Sequence, residues 1–357
     1  MFRTAVMFRT AVFVLAAVPC TLLLVPIMAT GVLLRGFLLL VNRIAQKLEP
    51  SFVPWTEMMQ FDPLLGWRPR PNLNTHYLAI RDDVFHVVTD GDGWPGRSTL
   101  DASRIVVIGD SVAFGYGVNT KRSFAEVDPS LGVKAVGAPG YSMVQGVQLM
   151  EQLRSRLEGK LVVWFVFLGN DIQDNLMPHL QHYRAPFVRR RNGRWEIAHA
   201  HISSRRWECS QPIPLRVRML AEFCVPSPIS DRAYSACGFL IGRANSACRE
   251  AGAQLAVVSI PPPVLLHARG IARLTSMCHR PEQFDATLPD RRISALCQTL
   301  GVPFVAGRSI FKPSDYKHRE GIHWNQRGHL RVAALLRNLV RNRAYSHGGE
   351  PNVSLVR

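Results

Sequence analysis

From Arg104 onward short apolar runs punctuate the chain: RIVVIG (104–109), KAVG (134–137), LVVWFVFLG (161–169), QLAVVSIP (254–261) and VPFVAG (302–307). Each run is continuous rather than alternating, as for strands buried on both faces of a parallel sheet. Between them, Met143, Val147, Met150 and Leu157 fall at helical spacing. DRAYSACGFLIGRANSACREAG and RRISALCQTLG read as further helices ending near glycine, and NQRGHLRVAALLRNLVRN as a closing helix. Strands alternating with helices predict a three-layer α/β/α domain with a parallel sheet over residues 104–345. Ligands of such sheets gather at the carboxyl ends of the strands. Ser111 follows the first apolar run and Asn170 the third, so both are expected at one edge.

Three stretches depart from this rhythm. Residues 75–100 alternate modestly and predict two short strands inside a lead-in or cap segment, 51–103. Residues 176–230 are rich in Arg, His, Pro and Trp and too long for an ordinary connection. They read as an insertion, either bordering the site or forming a surface excursion. Residues 346–357 read as a flexible tail.

The N-terminus has its own pattern. MFRTAVMFRTAV repeats a six-residue unit, making Met7 a second candidate start. Residues 11–34 carry no charge. As a helix they would extend ~36 Å, enough for a ~30 Å hydrocarbon core. Pro19 and Pro26 would kink such a helix without preventing insertion. A cleaved signal peptide is the rival, but the run is long and no clean small-x-small site follows it. Residues 1–50 are therefore expected to form a transmembrane anchor and a juxtamembrane helix. Arg3 and Arg9 precede the span while Arg35, Arg43 and Lys47 follow it, so the charge rule barely orients it. Besides Cys20 the chain has Cys209, Cys224, Cys237, Cys248, Cys278 and Cys297, without zinc spacing. They suit either disulfides or free buried thiols. With the anchor, they favour a periplasmic or extracytoplasmic body. The formal net charge of +17 favours anionic surroundings, although a solvated basic surface also accounts for it. No nucleic-acid module is readable, and no nucleic-acid partner is expected.

Chemistry concentrates in four places. IVVIGDSVAFGYGV sets Ser111 after a strand, either as a nucleophile or as a polar strand end. REGIHWNQRGH puts Glu320 three residues before His323, close enough for a carboxylate to hold one imidazole nitrogen. A serine hydroxyl needs such a base to become nucleophilic. In VFLGNDIQDN the Asn170 amide is placed either to donate to a developing oxyanion or to form a turn. In AVGAPGYS, Gly140 either lets a backbone N–H approach a ligand or is a plain loop glycine.

In this order, the four blocks resemble the SGNH hydrolases, also called GDSL-type esterases and lipases. Ser111 matches the nucleophile block, with Val112 where the family has leucine. Gly140 and Asn170 match the oxyanion-hole residues, and His323 matches the base. The resemblance spans roughly residues 104–341, with 176–230 outside it. It implies an SGNH/flavodoxin-like α/β/α fold and an ester hydrolase needing no metal or organic cofactor. The family normally has aspartate where this chain has Glu320. Asp315 and a backbone carbonyl are the alternative groups to orient His323.

The implied mechanism is attack by Ser111 on an acyl or acetyl ester, with His323 as base. The oxyanion would be held by the Ser111 and Gly140 N–H groups and the Asn170 amide. An O-acylated envelope glycan or a lipid is the expected substrate, and the membrane a partner through the N-terminal helix. An O-acyltransferase would use the same acyl-enzyme with a sugar acceptor. A catalytically silent glycan-binding or envelope-assembly protein is the alternative outside enzymology. His179, His182, His199 and His201 lack nearby carboxylates and do not read as a metal site. Asp171 and Asp174, beside Asn170, read either as a cation site or, in preference, as structural. Trp324 reads either as acyl-pocket lining or as packing, and His329 as packed or capping.

Overall fold

The apolar runs become the strands of one parallel sheet. A computed structural model describes Leu33 and residues 55–78, 84–180, 183–199, 201–207, 216–317 and 322–346. The uncharged segment 11–34 and the juxtamembrane stretch lie outside these residues, Leu33 excepted, as do Cys209, His182, Glu320 and the tail. Among the described residues no helix is long and apolar enough to cross a membrane.

After the single helical turn α1 (Trp55–Met58) come four strands, as antiparallel pairs: β1 (Met59–Asp62) with β2 (Gly66–Pro69), and β3 (Asn74–Leu78) with β4 (Val84–Val88). The parallel sheet is built from β5 (Ile105–Gly109), β6 (Val133–Gly137) and β7 (Leu161–Phe167). After the insertion it is completed by β12 (Gln254–Ile260) and β13 (Phe304–Ala306). The spatial order is β13-β12-β7-β5-β6. In chain order this is a 2-1-3-4-5 sheet, whose direction of winding reverses between β5 and β7. The chain ends leaving those two strands therefore diverge and leave a crevice at the carboxyl edge.

Alternation along each strand divides the core. Val106, Ile108, Val162, Trp164, Val166 and Val257 face one side, packed with α3 (Met143–Gln152), α6 (Pro228–Glu250) and α8 (Leu288–Thr299). Ile105, Val107, Val163, Phe165, Phe167 and Val258 face the other, against Val332, Ala333 and Leu336 of α9 (Gln326–Ser346). With both faces covered, every position of β5, β6 and β7 is buried, as is every position of β12 after Gln254, which explains the unbroken apolar runs. The predicted helix through Leu157 ends earlier, at Gln152. A 3₁₀ turn over Arg154–Arg156 precedes Leu157, which is nonetheless buried.

The lead-in segment is packed into this core rather than laid over it. Trp67, Phe85, Val87 and Trp94 join the cluster formed by α3 and α6. Lys134, in the otherwise apolar β6, is only 1% exposed. Its ammonium lies 2.8 Å from the Asp90 carboxylate and donates to the Trp94 and Pro95 carbonyls. A buried cation requires this kind of complete pairing.

The 176–230 stretch carries β8 (His179–Leu180), β9 (Tyr183–Arg184), β10 (Phe187–Arg191) and β11 (Arg194–Ala198). It also carries the helix α5 (Arg216–Phe223). Leu180, Tyr183, Ala185 and Val188 reach the core, while Arg189, Arg190 and Arg191 are exposed. The described cysteines, Cys224, Cys237, Cys248, Cys278 and Cys297, are free thiols. Burial pushes Cys224, Cys237, Cys248 and Cys297 up to about 12, so they behave as small apolar side chains.

Candidate active site

The turn after β5 is organised by Asp110. Its side chain accepts from the Val112 N–H at 2.8 Å and caps a single helical turn, α2 (Ser111–Phe114), which Gly115 ends. Ser111 is thus the first residue of a helix, and its N–H has no acceptor within that helix. Its hydroxyl lies 2.9 Å from Nε2 of His323, and the residue is 7% exposed. A serine and a histidine 212 residues apart in the chain meet at hydrogen-bond distance.

His323 is held from two sides. Tyr316 and Trp324 form an antiparallel bridge, and the Lys317 N–H donates to the His323 carbonyl at 3.0 Å. Glu320, between the two bridge residues in sequence, lies outside the described residues. Asp315, the alternative orienting group, directs its carboxylate elsewhere: it accepts from the Lys312 N–H at 2.7 Å and from Arg331 Nη2 at 3.3 Å, and forms an ion pair with Arg331, whose Nε lies 2.8 Å away. It clips the turn Pro313–Asp315 to α9. The Tyr116 ring rests against the imidazole, with centroids 4.6 Å apart. Phe85 and Tyr77 of the β3–β4 hairpin pack edge-on against Tyr116, at 5.0 and 5.8 Å. The lead-in segment therefore buttresses the histidine through one tyrosine.

Gly140 lies in the loop after β6, with φ +82°, a backbone region that disfavours side chains. The loop is pinned by Trp67, whose indole donates to the Pro139 carbonyl at 3.0 Å. The Tyr141 hydroxyl in turn donates to the Trp67 carbonyl at 2.5 Å. At the end of β6, a Cβ on Gly137 would come within 2.1 Å of the Gly109 carbonyl oxygen. Glycine there lets the β5 and β6 ends lie side by side.

Asn170 immediately precedes the single turn α4 (Asp171–Asp174), makes no side-chain cap to it, and is 6% exposed. Its amide Nδ2 donates to Asp174 Oδ2 at 2.7 Å and, over a longer 3.3 Å, to Asp171 Oδ1. Asp171 also accepts the Phe167 N–H at 2.8 Å. The two corners of the crevice are electrostatically in touch. Burial pushes the Asp110 carboxyl up to about 6, and the Asp174 charge adds to that rise.

The structure thus brings Ser111 and His323 into contact and sets Gly140 and Asn170 at the ends of the neighbouring strands. Trp324 is packing: it is 1% exposed and stacked on Phe311 at 4.8 Å. His329 is also packed; its Nδ1 accepts the Phe124 N–H at 3.2 Å. Sequence reasoning passed over Asp110 and Tyr116, and gave Asp174 no part in the oxyanion site. The first was legible as a polar residue capping a turn. Tyr116, in GYGV, carried no signal of its own, because its partner His323 lies far along the chain.

No family model and no curated protein sequence matches the chain. Among solved structures it is similar to the inhibitor-bound aryl esterase of M. smegmatis, at 18% identity and TM-score 0.38, covering 67% of this chain and 99% of that one. It is similar to a GDSL-like lipase from Bacteroides thetaiotaomicron, at 13% identity and TM-score 0.38, covering 70% and 92%. A carbohydrate acetylesterase family member from Sinorhizobium meliloti is similar at 14% identity and TM-score 0.38, covering 67% and 97%. At identities this low, the chemistry has to be read from the side chains themselves.

Proposed function

We propose that this protein is a serine ester hydrolase of the SGNH type, acting through an acyl-enzyme on Ser111. The observation that carries this reading is the 2.9 Å contact between the Ser111 hydroxyl and His323 Nε2. A hydroxyl that hydrogen-bonds a neutral imidazole can lose its proton as it attacks a carbonyl. The Ser111 and Gly140 N–H groups and the Asn170 amide take the tetrahedral oxyanion. His323 then returns its proton to the leaving alcohol, and a water activated by the same histidine releases the acid. Glu320 is the carboxylate that holds His323 in the required tautomer. The uncharged run 11–34 supports an anchored protein with an extracytoplasmic body, and the +17 charge supports an anionic acylated glycan or lipid as substrate.

The test is turnover of a p-nitrophenyl ester series from acetyl to long acyl, and of an acetylated polysaccharide, beside fluorophosphonate labelling. Wild type is expected to release acid and to label, and Ser111→Ala to do neither. Folded wild type that neither labels nor exceeds Ser111→Ala in turnover would overturn the reading. Acyl release only when a sugar acceptor is present would reassign the acyl-enzyme to transfer.

A further inference from the structure

We propose that Asp174 is a positioning residue for the oxyanion site: its carboxylate fixes which way round the Asn170 amide sits. The inference rests on the esterase reading for its consequence, but the hydrogen bond behind it can be tested without activity.

A side-chain amide has a donor end and an acceptor end of nearly equal size. Rotation by a half-turn exchanges them, and only the donor end can stabilise an oxyanion. Something must therefore choose. Next to Asn170 that choice is made by charge. Asp174 Oδ2 lies 2.7 Å from Nδ2, a distance short enough for a charge-assisted bond. The reversed amide would set its carbonyl oxygen against the same carboxylate. With Asp174 only 2% exposed, water could not screen that repulsion.

Asp174 is itself fixed. Its backbone N–H donates to the Asn170 carbonyl at 2.9 Å, closing the α4 turn. Donor and orienting carboxylate thus belong to one hydrogen-bonded turn, four residues apart. Asp171 is a weaker candidate for this role. Its Oδ1 is 3.3 Å from the amide, and its Oδ2 is committed to the Phe167 N–H. The short bond from Nδ2 to Asp174 leaves the amide in a single orientation, and its other N–H, on the longer 3.3 Å bond to Asp171 Oδ1, is the one that an oxyanion would take over. A negative charge so close also works against an oxyanion by simple Coulomb repulsion. The two effects have opposite signs, so kinetics can tell them apart.

The full chain would be assayed on p-nitrophenyl acetate as wild type, Asp174→Ala, Asp174→Asn, Asn170→Ala and the Asn170→Ala/Asp174→Ala double variant. Asp174→Ala is expected to lower kcat by ~10–100-fold with KM little changed, and to cost nothing further once Asn170 is gone. Asp174→Asn, which keeps size and capping, is expected to fall in between. Faster turnover in either single variant would mean that charge repulsion dominates. Equal turnover, or losses that multiply in the double variant, would mean that Asp174 only supports the fold. Each of those results overturns the proposal. The side-chain ¹⁵NH₂ signal of Asn170, assigned by its loss in Asn170→Ala, supplies the activity-free arm. Its protection from solvent exchange should drop in Asp174→Asn. Unchanged protection sinks the positioning role even if the protein proves inactive, whereas inactivity of wild type sinks only the esterase reading.

Discussion

The turns that follow β5 and β7 leave the same edge of the sheet as single helical turns, each preceded by a buried polar residue. They differ in what their polar atoms face. After β5, the Ser111 hydroxyl faces an imidazole contributed from the far end of the chain. After β7, the Asn170 amide faces a carboxylate of its own turn. The β5 turn is incomplete without a distant partner, and that partner is able to move a proton. The β7 turn is locally complete and holds a rigid donor. A nucleophile must change protonation during reaction, while an oxyanion donor must stay as it is. The difference in construction follows the difference in duty.

The comparison is broken most sharply on the β5 side. Ser111→Ala removes the acyl-enzyme, and turnover of p-nitrophenyl acetate should fall by ~10⁴-fold or more, to what binding and the oxyanion donors alone supply. His323→Ala should cost about as much, and the double variant little more, because the pair acts as one unit. Independent, multiplying losses would mean that the 2.9 Å contact is not the working one. On the β7 side, Asn170→Ala should lower kcat by ~10²–10³-fold with KM little altered. A rise in KM at constant kcat would make Asn170 a substrate-binding residue instead.

A smaller effect is expected from the buttress. Tyr116→Ala removes the ring packed 4.6 Å from the imidazole but no reacting atom. Its loss should cost roughly tenfold in kcat, as expected when a base is held less well. Tyr116→Phe keeps the ring and should recover most of it. If Phe is as slow as Ala, the hydroxyl rather than the packing carries the role.

How much of this was legible depended on how local each feature is. The parallel sheet could be read because burial on both faces writes itself into uninterrupted runs such as LVVWFVF. The nucleophile and donor turns could be placed because each directly follows such a run. What could not be read was anything made by distant residues. Trp67 pinning the Gly140 loop, Tyr116 against His323 and the Asp110–Asp174 proximity join separate segments of sequence. Lys134, at the head of the run KAVG, is likewise paired with Asp90 from a separate segment. The helix expected through Leu157 failed for a related reason. Leu157 keeps its apolar face buried from a turn beyond the helix end, so periodicity overshot the boundary.

The two histidines of the last segment extend the comparison to pH. His329, six residues after His323, is buried behind the β5 turn, and burial holds its imidazole down to about 3. In the unfolded chain it titrates near its ordinary value of about 6.5. Between those values the unfolded state binds one more proton, so His329 contributes stability above about 6.5 that is lost as pH falls toward 3. Asp110 has the opposite sign. Its folded value of about 6 lies above the ordinary carboxyl value of about 3.9, so its contribution is full below the ordinary value and lost as pH rises through 6. From about pH 4 to 6 the two slopes oppose each other, each at most about 1.4 kcal/mol per pH unit. His329→Asn keeps an acceptor for the Phe124 N–H and removes the titration. Relative to wild type its stability should rise progressively as pH drops from 6 to 4, with little change in turnover at neutral pH. Asp110→Asn should shift the other way, losing stability relative to wild type over the same interval. Chemical denaturation at fixed pH values measures both differences. Parallel curves for His329→Asn and wild type would mean that the buried imidazole is not held neutral, and that its packing, not its charge state, is what the β5 turn requires.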